Sequence, residues 1–151
     1  MSKSVRRRVI REKVMQALYA NEIAKYQTQH VIKCLLTGLE ENKDAHTFAK
    51  HLVLATIKHT AEIDKVIRMK AANWEFNRIA LIDRLILRMS ICELLYFKDI
   101  PPKVTMNEAI ELAKLFSTEK SGQFVNGILD AVLDDVTLQS RMHKAGRGLL
   151  D

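Results

Sequence analysis

The chain has 151 residues, 48% of them hydrophobic and 28% charged, which is typical of one ordinary globular domain and excludes a disordered chain. Only five glycines and two prolines interrupt it, which leaves little turn chemistry for a sheet protein. The formal net charge of +6 is concentrated at one end, because six of the first thirteen residues are basic and one is acidic, whereas residues 14–136 hold 15 basic and 16 acidic side chains.

Apolar residues at helical spacing predict three helices in the first half of the chain. We expect the first over residues 5–26, the second over 29–40 and a long third over about 45–70. Asp44 is the expected N-cap of the third helix, since its carboxylate can accept a hydrogen bond from a free backbone N–H.

The second half begins with a connector, residues 73–77, in which Trp74 is expected to anchor the chain on the core. Residues 78–97 are apolar nearly all round, which predicts a central buried helix. The prolines at 101 and 102 end that helix, because proline cannot continue one. We expect the next helix to begin at the capping-box pair Thr105 and Glu108 and to reach Phe116.

A last helix is predicted to follow the polar loop 117–122 and to end at residue 136. Gly127 lies inside it, and we expect this glycine to permit a close helix crossing. Residues 137–151 lack helical periodicity and are interpreted as a flexible tail. The sequence therefore predicts an all-α protein.

Three segments, in order and at compatible spacings, resemble the family of the bacterial transcription antitermination factor NusB. They are RRR…RE…QALY at 6–19, W…RI…IDR…ILRM…EL at 74–94, and PPKV…NEAIELAK followed by FVNGILD at 101–130. The resemblance covers about residues 5–136. It implies an all-α fold of two packed helical bundles, a smaller N-terminal one (about 5–70) and a larger C-terminal one (about 78–136), forming one RNA-binding domain within residues 1–136.

The resemblance also implies a function without catalysis. Members of the family bind the boxA element of nascent ribosomal RNA leader transcripts as single-stranded RNA. They do so together with NusE, a protein of the small ribosomal subunit, and the pair helps to hold RNA polymerase in a termination-resistant complex. The expected partners are thus boxA-type RNA, NusE and the RNA polymerase antitermination complex.

The basic cluster at the start of the chain predicts RNA binding independently of the resemblance. An arginine fork binds phosphate bidentately, and five cations at the positive end of a helix dipole oppose helix stability. We therefore expect these side chains to bind RNA; they are Lys3, Arg6, Arg7, Arg8 and Arg11. The alternative is a solvated arm that only improves solubility.

Four further residues are candidate RNA contacts. Tyr19 lies beside the arginine cluster and offers a ring on which a base can stack, although it also suits the edge of a core. Lys103 follows the two prolines, in a region that the family uses near RNA, and is otherwise an ordinary exposed lysine. Lys120 occupies a position where many relatives have an acidic residue, so it should attract phosphate. The family places Phe124 near the RNA path, and a core role is its alternative.

Asp83 matches an acidic position at which the family contacts NusE. Its alternative is a structural ion pair with Arg84 or with another helix. Arg88 follows Arg84 by one helical turn on the same apolar helix and is interpreted as structural, with Glu108 or Glu111 as the acid that neutralises it.

Other classes of function lack their motifs. His30 and Cys34 are one helical turn apart, but no second pair completes a metal site, and no glycine-rich phosphate loop is present. We expect no enzyme, no cofactor and no metal. No apolar run is long enough for a membrane span, and no apolar segment follows the basic N-terminus, so we expect a cytoplasmic protein.

Two alternative functions remain open on the sequence. One is a protein-only helical scaffold, and the other is the NusB-like RNA-binding domain of a ribosomal RNA methyltransferase. The sequence also leaves open whether the free protein is a monomer or a homodimer.

Overall fold

The computed structural model describes residues 3–25, 27–35, 37–39 and 42–150, with side chains for 7–25, 27–33, 38–39 and 42–136. All regular elements of these segments are helices, which confirms the all-α prediction. In chain order they are α1 (Lys3–Ile23), α2 (Thr28–Leu35), α3 (Lys43–Lys58), α4 (Thr60–Lys70), α5 (Leu81–Tyr96), α6 (Pro102–Phe116) and α7 (Glu119–Leu150), with short 3-10 turns at Thr37–Leu39 and Phe76–Arg78.

Helix α5 is the centre of the fold. It packs against α1, α3, α4, α6 and α7, while α1 also packs on α2 and α3, and α6 packs on α7. Its side chains from Leu85 to Leu94 are all buried, as its nearly uniform apolar sequence predicts. Each fully buried Leu or Ile stabilises the fold by roughly 1.5–3 kcal/mol. The described helices therefore share one core, with α5 at its centre.

The predicted long helix over 45–70 is wrong, because it divides at His59 into α3 and α4. The hydroxyl of Thr56 donates to the carbonyl of Leu52 at 2.6 Å, and that of Thr60 donates to the carbonyl of Thr56 at 2.8 Å. Threonine hydroxyls that bond to the preceding turn compete with the backbone ladder and bend helices. Two of them in succession account for the break.

The N-cap of α3 is Asn42 rather than the predicted Asp44. The Asn42 side-chain oxygen accepts a hydrogen bond from the N–H of Ala45 at 3.0 Å. Asp44 lies in the first turn, where its charge favours the positive end of the helix dipole. The predicted helix over 29–40 is shorter in the structure, since α2 ends at Leu35 and the 3-10 turn follows.

The predicted capping box of α6 is also wrong. The helix begins three residues earlier, at Pro102, and proline is well suited to the first helical position because its missing N–H would be unbonded there. Thr105 therefore lies inside the helix, where its hydroxyl donates to Oε1 of Glu93 at 3.0 Å. Glu108 points towards α1 instead of towards its own helix start.

Helix α7 begins within the predicted loop, at Glu119. The hydroxyl of Thr118 accepts a hydrogen bond from the backbone N–H of Ser121 at 3.0 Å and so caps the first turn. The helix continues to Leu150, where the sequence predicts a tail from residue 137, and the flexibility of that segment stays a prediction. A Cβ built at Gly127 meets nothing within 4 Å, so the predicted close helix crossing is wrong.

Candidate nucleic-acid interface

The basic arm, by which we mean the five candidate residues at the start of α1, divides into accessible and buried side chains. The side chains of Lys3 and Arg6 lie outside the described residues. Arg7 is exposed, and Arg8 is half-buried. The Nε of Arg8 donates to Oε2 of Glu108 at 3.2 Å, and its side chain is 39% exposed. Arg7 and Arg8 thus keep guanidinium N–H groups available to an anion.

Arg11 is buried and is therefore not part of the candidate RNA-binding surface. Its Nε and Nη2 donate to Oε2 and Oε1 of Glu93 at 2.9 and 2.5 Å, and the two side chains are 3% and 1% exposed. Its guanidinium also lies over the ring of Phe48 at 5.2 Å. A buried carboxylate on α5 requires a paired cation, so the prediction that Arg11 binds RNA is corrected to a structural role.

Tyr19 is 42% exposed, so one face of its ring is accessible. The position one turn before Tyr19 on α1 is buried, because Met15 is only 3% exposed and belongs to the core. Tyr19 therefore offers a single stacking platform on α1, one turn beyond a buried position.

The arm lies next to the start of α6. A cleft of about 280 Å³ is lined by Arg7 together with Asp99, Pro101 and Val104, among other residues. Lys103 is exposed between the last two of these positions. The fold therefore brings Lys103 into the same region as the accessible part of the arm.

The remaining candidates meet at the start of α7. Trp74 and Phe124 contact each other edge to face, with ring centroids 5.3 Å apart and an interplanar angle of 63°. They line a cleft of about 200 Å³ together with Arg78, Asp83 and Lys120, among others. We call this the Trp74 cleft. Trp74 was predicted to anchor the connector on the core, but it is 61% exposed and contacts the partly buried ring of Phe124 instead of entering the core.

Sequence reasoning missed Trp74 and Arg78 as parts of this site. Arg78 is exposed, and its one ion pair among the described residues is with Glu75, three residues away, at 3.0 Å between two exposed side chains. An exposed pair of this kind contributes little stability, so Arg78 remains available to another anion. The sequence did contain one indication of this site, since a tryptophan and an arginine lie in a short connector rather than in a helix.

Asp83 lies on the wall of the Trp74 cleft and is 6% exposed. Its Oδ2 accepts a hydrogen bond from the Ser121 hydroxyl at 3.0 Å, while its Oδ1 has no hydrogen-bond partner among the described residues. Burial raises the pKa of the Asp83 carboxyl above its ordinary value, and the hydrogen bonds from Ser121 and Ser117 oppose that shift. A folded partner surface has little access to so buried a carboxylate, which disfavours the predicted direct contact with NusE. The alternative ion pair with Arg84 is absent from the described contacts.

Arg88 is structural, as expected, but its partner was predicted wrongly. Its Nε and Nη2 donate to the two carboxylate oxygens of Asp64 on α4 at 2.8 and 3.0 Å. Its Nη1 also lies 3.6 Å from Glu22 on α1. The predicted partner Glu108 pairs with Arg8 instead.

The ion pairs fix the relative directions of the helices. Arg11, near the start of α1, pairs with Glu93, near the end of α5, whereas Glu22 pairs with Arg88, which is earlier in α5. Helix α5 is therefore antiparallel to α1. Helix α6 returns after a short turn, so it runs in the same direction as α1.

Because Arg8 contacts Glu108, these two residues lie at about the same height along α1 and α6. Tyr19 lies eleven residues beyond Arg8, about 16 Å along α1, and α6 ends at Phe116, eight residues or about 12 Å beyond Glu108. Tyr19 accordingly lies at about the level of the connection between α6 and α7. The candidates form two groups along α6: the arm and Lys103 lie beside its first half, and Lys120 and Phe124 lie on α7, which folds back so that a Cβ at Gly122 would lie 3.1 Å from Cγ of Lys114.

The described residues contain no membrane-spanning helix and no converging group of three or more metal-ligating side chains. The Cys92 thiol is buried, and burial raises its pKa to about 11. The side chain of Cys34 lies outside the described residues.

Comparisons with known proteins agree on one family. The family model described as the NusB family matches residues 8–134. The chain is 48% identical over 145 residues to the transcription antitermination protein NusB of Salinibacter ruber, covering 95% of this chain and 91% of that relative.

Solved structures give the same result. NusB of T. maritima superposes with a TM-score of 0.78 at 37% identity, covering 85% of this chain and 90% of the other. A crystal structure of the antitermination factors NusB and NusE in complex with double-stranded RNA contains a chain with a TM-score of 0.75 at 29% identity, covering 89% of this chain and 99% of that one.

Proposed function

This chain belongs to the NusB family of transcription antitermination proteins, and on that premise we propose that it binds boxA-type RNA of ribosomal RNA leader transcripts together with NusE. The complex acts within the RNA polymerase antitermination assembly, in the cytoplasm, where transcripts are made. The protein's contribution is binding and positioning, without catalysis, cofactor or metal.

The observation that carries this proposal is that accessible cations and accessible rings lie along the same part of the fold. Arg7, Arg8 and Lys103 lie beside the first half of α6, and Tyr19 is about level with its end. Lys120 and Phe124 lie on the first turns of α7, which pack back against the last turns of α6. Cations bind phosphates without regard to sequence, whereas exposed rings stack on unpaired bases. This combination suits single-stranded RNA better than a duplex, whose bases are already stacked.

The separation of the two groups supports a minimum length of RNA. Lys103 lies eleven residues, about 16 Å along α6, before Lys114, which contacts the first turn of α7, and that distance corresponds to about five stacked nucleotides at about 3.4 Å each. An RNA of that length or more engages both groups at once, and a shorter one engages only one. NusE would then add its own contacts to the same strand.

Of the alternative functions, the comparisons favour neither. The similar proteins are named as antitermination proteins, and one is spanned over 91% of its length, which does not favour a methyltransferase domain. The protein-only scaffold would leave the exposed arginines and rings of both groups without a role.

Fluorescence anisotropy with labelled boxA-type RNA tests the proposal directly. We expect the full chain to bind this RNA more tightly than a scrambled strand of equal length, and NusE to increase the affinity for the boxA-type strand further. Equal, weak binding of both strands with and without NusE would contradict the proposed function and favour the scaffold.

A further inference from the structure

The Trp74 cleft contains a polar group that the fold itself does not satisfy. Asp83 is held through Oδ2 by the Ser121 hydroxyl, which in turn contacts the hydroxyls of Ser117 and Thr118 at 2.8 and 3.2 Å. Oδ1 of Asp83 has no partner among the described residues and is covered from water. Buried acceptors are nearly always hydrogen-bonded, since desolvation without a partner destabilises the fold. Oδ1 of Asp83 is therefore free to accept a hydrogen bond from a donor group on a bound ligand.

The walls of the cleft favour a flat ligand. The rings of Trp74 and Phe124 meet edge to face, and Trp74 keeps 61% of its surface exposed. An aromatic ring that is left open to water beside a second ring is a suitable platform for a planar heterocycle. The volume of about 200 Å³ is below the roughly 300–1,000 Å³ of sites for drug-sized ligands, so it suits one ring system rather than several.

The charged residues at the rim of the cleft favour a ligand that carries negative charge. Arg78 and Lys120 are exposed there, and a single carboxylate between two cations is a poor site for a metal ion or for a basic peptide. The two cations instead favour a phosphate next to the flat group. A planar heterocycle with N–H donors and an adjoining phosphate is a nucleotide.

Among the bases, guanine presents two adjacent donors, N1–H and the 2-amino group, on one edge. An ionised carboxylate accepts two such bonds side by side, because its oxygens offer about four lone-pair positions. Oδ1 becomes accessible through a small rotation of the carboxylate about χ2, a torsion with a broad energy well in aspartate. Adenine, cytosine and uracil each present a single donor group on that edge, flanked by an acceptor.

We propose that the Trp74 cleft binds one unstacked guanine of the RNA, with Asp83 accepting from its N1–H and 2-amino groups and Lys120 or Arg78 binding an adjacent phosphate. This inference rests on the proposed function, since it assigns a base preference to one part of the RNA-binding surface. It gives Asp83 an RNA contact in place of the predicted protein contact.

The test uses the full-length protein and labelled oligouridylates of about twelve nucleotides, more than twice the estimated span between the two groups. One central position carries guanosine, inosine, 1-methylguanosine or adenosine. Inosine lacks the 2-amino group, and 1-methylguanosine lacks the N1–H. We expect the wild type to bind the guanosine strand about tenfold more tightly than each of the other three, which is the loss expected for a hydrogen bond to a charged acceptor.

Asp83→Asn should bind all four strands within about twofold of one another, since an amide cannot accept two adjacent N–H groups. Asp130→Asn is the matched control, because Asp130 is an exposed acid on α7, and it should keep the wild-type preference. The comparison among strands on the wild type remains decisive even if Asp83→Asn fails to fold.

Equal binding of the four strands by the wild type would overturn the guanine assignment. If boxA-type RNA were still bound and enhanced by NusE in that case, the proposed function would stand without it. If no RNA were bound under any condition, the proposed function and the guanine assignment would both be contradicted. A guanosine preference that survives in a folded Asp83→Asn variant would also overturn the assignment, because another group would then make the contact.

Discussion

Arg11 and Glu93 form a two-pronged ion pair across 82 residues of sequence, and both side chains are at most 3% exposed. The pair joins the start of α1 to the end of α5, and Thr105 of α6 donates to the same carboxylate. Three helices therefore meet at one buried charge pair, about one helical turn along α1 from Arg7 and Arg8. The arm presents cations to solvent because this pair holds its helix in place.

Arg11→Ala should lower the free energy of unfolding by about 3–5 kcal/mol, since it leaves the Glu93 carboxylate buried without its cation. Urea denaturation measures the loss. Arg7→Ala, at an exposed position one turn away, is the control and should stay within about 0.5 kcal/mol of the wild type. Similar small losses for both variants would show that the Arg11 pair does not hold α1 on α5.

Gly127→Ala should raise the free energy of unfolding by about 0.5–1 kcal/mol. Gly127 lies inside α7, where glycine loses more backbone entropy than alanine, and the added Cβ meets nothing within 4 Å. Thermal unfolding followed by circular dichroism measures the gain. Gly122→Ala is the comparison, because a Cβ there meets Cγ of Lys114 at 3.1 Å and should give a smaller gain or a loss. A destabilised Gly127→Ala would reveal a close contact at that position.

The stability contribution of Asp83 should depend on pH in a direction set by its raised pKa. The folded protein holds a proton on this carboxyl at pH values where the unfolded chain has released it, so stability falls as pH rises from the ordinary value of 3.8 through the raised pKa. Asp83→Asn removes that dependence. When both proteins are denatured at a series of pH values from acidic to neutral, the free energy of unfolding of the variant should increase relative to that of the wild type as pH rises. A difference that stays constant with pH would contradict this prediction.

Phe124→Ala should weaken RNA binding by about 1–3 kcal/mol, or roughly 5- to 150-fold, because one stacked base loses its ring. The loss should be greater for boxA-type RNA than for a scrambled strand. Tyr96→Ala is the aromatic control, since Tyr96 is exposed at the opposite end of α5 from Asp83 and should leave RNA affinity unchanged. A loss of stability in Phe124→Ala with unchanged RNA preference would make Phe124 a core residue.

The helices that bury a continuous apolar stripe were predictable from sequence alone. Helix α5 is the clearest case, because apolar residues at nearly every position leave it no place other than the centre of the fold. The order of the helices and the turn at the two prolines were equally predictable, since both depend on local chemistry.

The side-chain partners were not predictable, because they depend on which helices meet. Arg11 and Arg8 have the same local sequence character, and only the fold shows that Glu93 faces one and Glu108 the other. A signal for Arg11 was present in Glu93, an acid in the apolar second half of α5, but nothing in the sequence specifies which cation it meets. The break at His59 was missed for a related reason, since a threonine hydroxyl can bond either to water or to its own helix.

The salt dependence of RNA binding tests the central claim, that the exposed cations bind RNA phosphates. The slope of log affinity against log salt for boxA-type RNA should become shallower by about 0.7 for each phosphate contact removed. The triple variant Arg7→Ala, Arg8→Ala, Lys120→Ala should therefore lose about two units of slope while remaining folded. An unchanged slope in that variant would contradict the account, because the RNA would then be bound by a different surface.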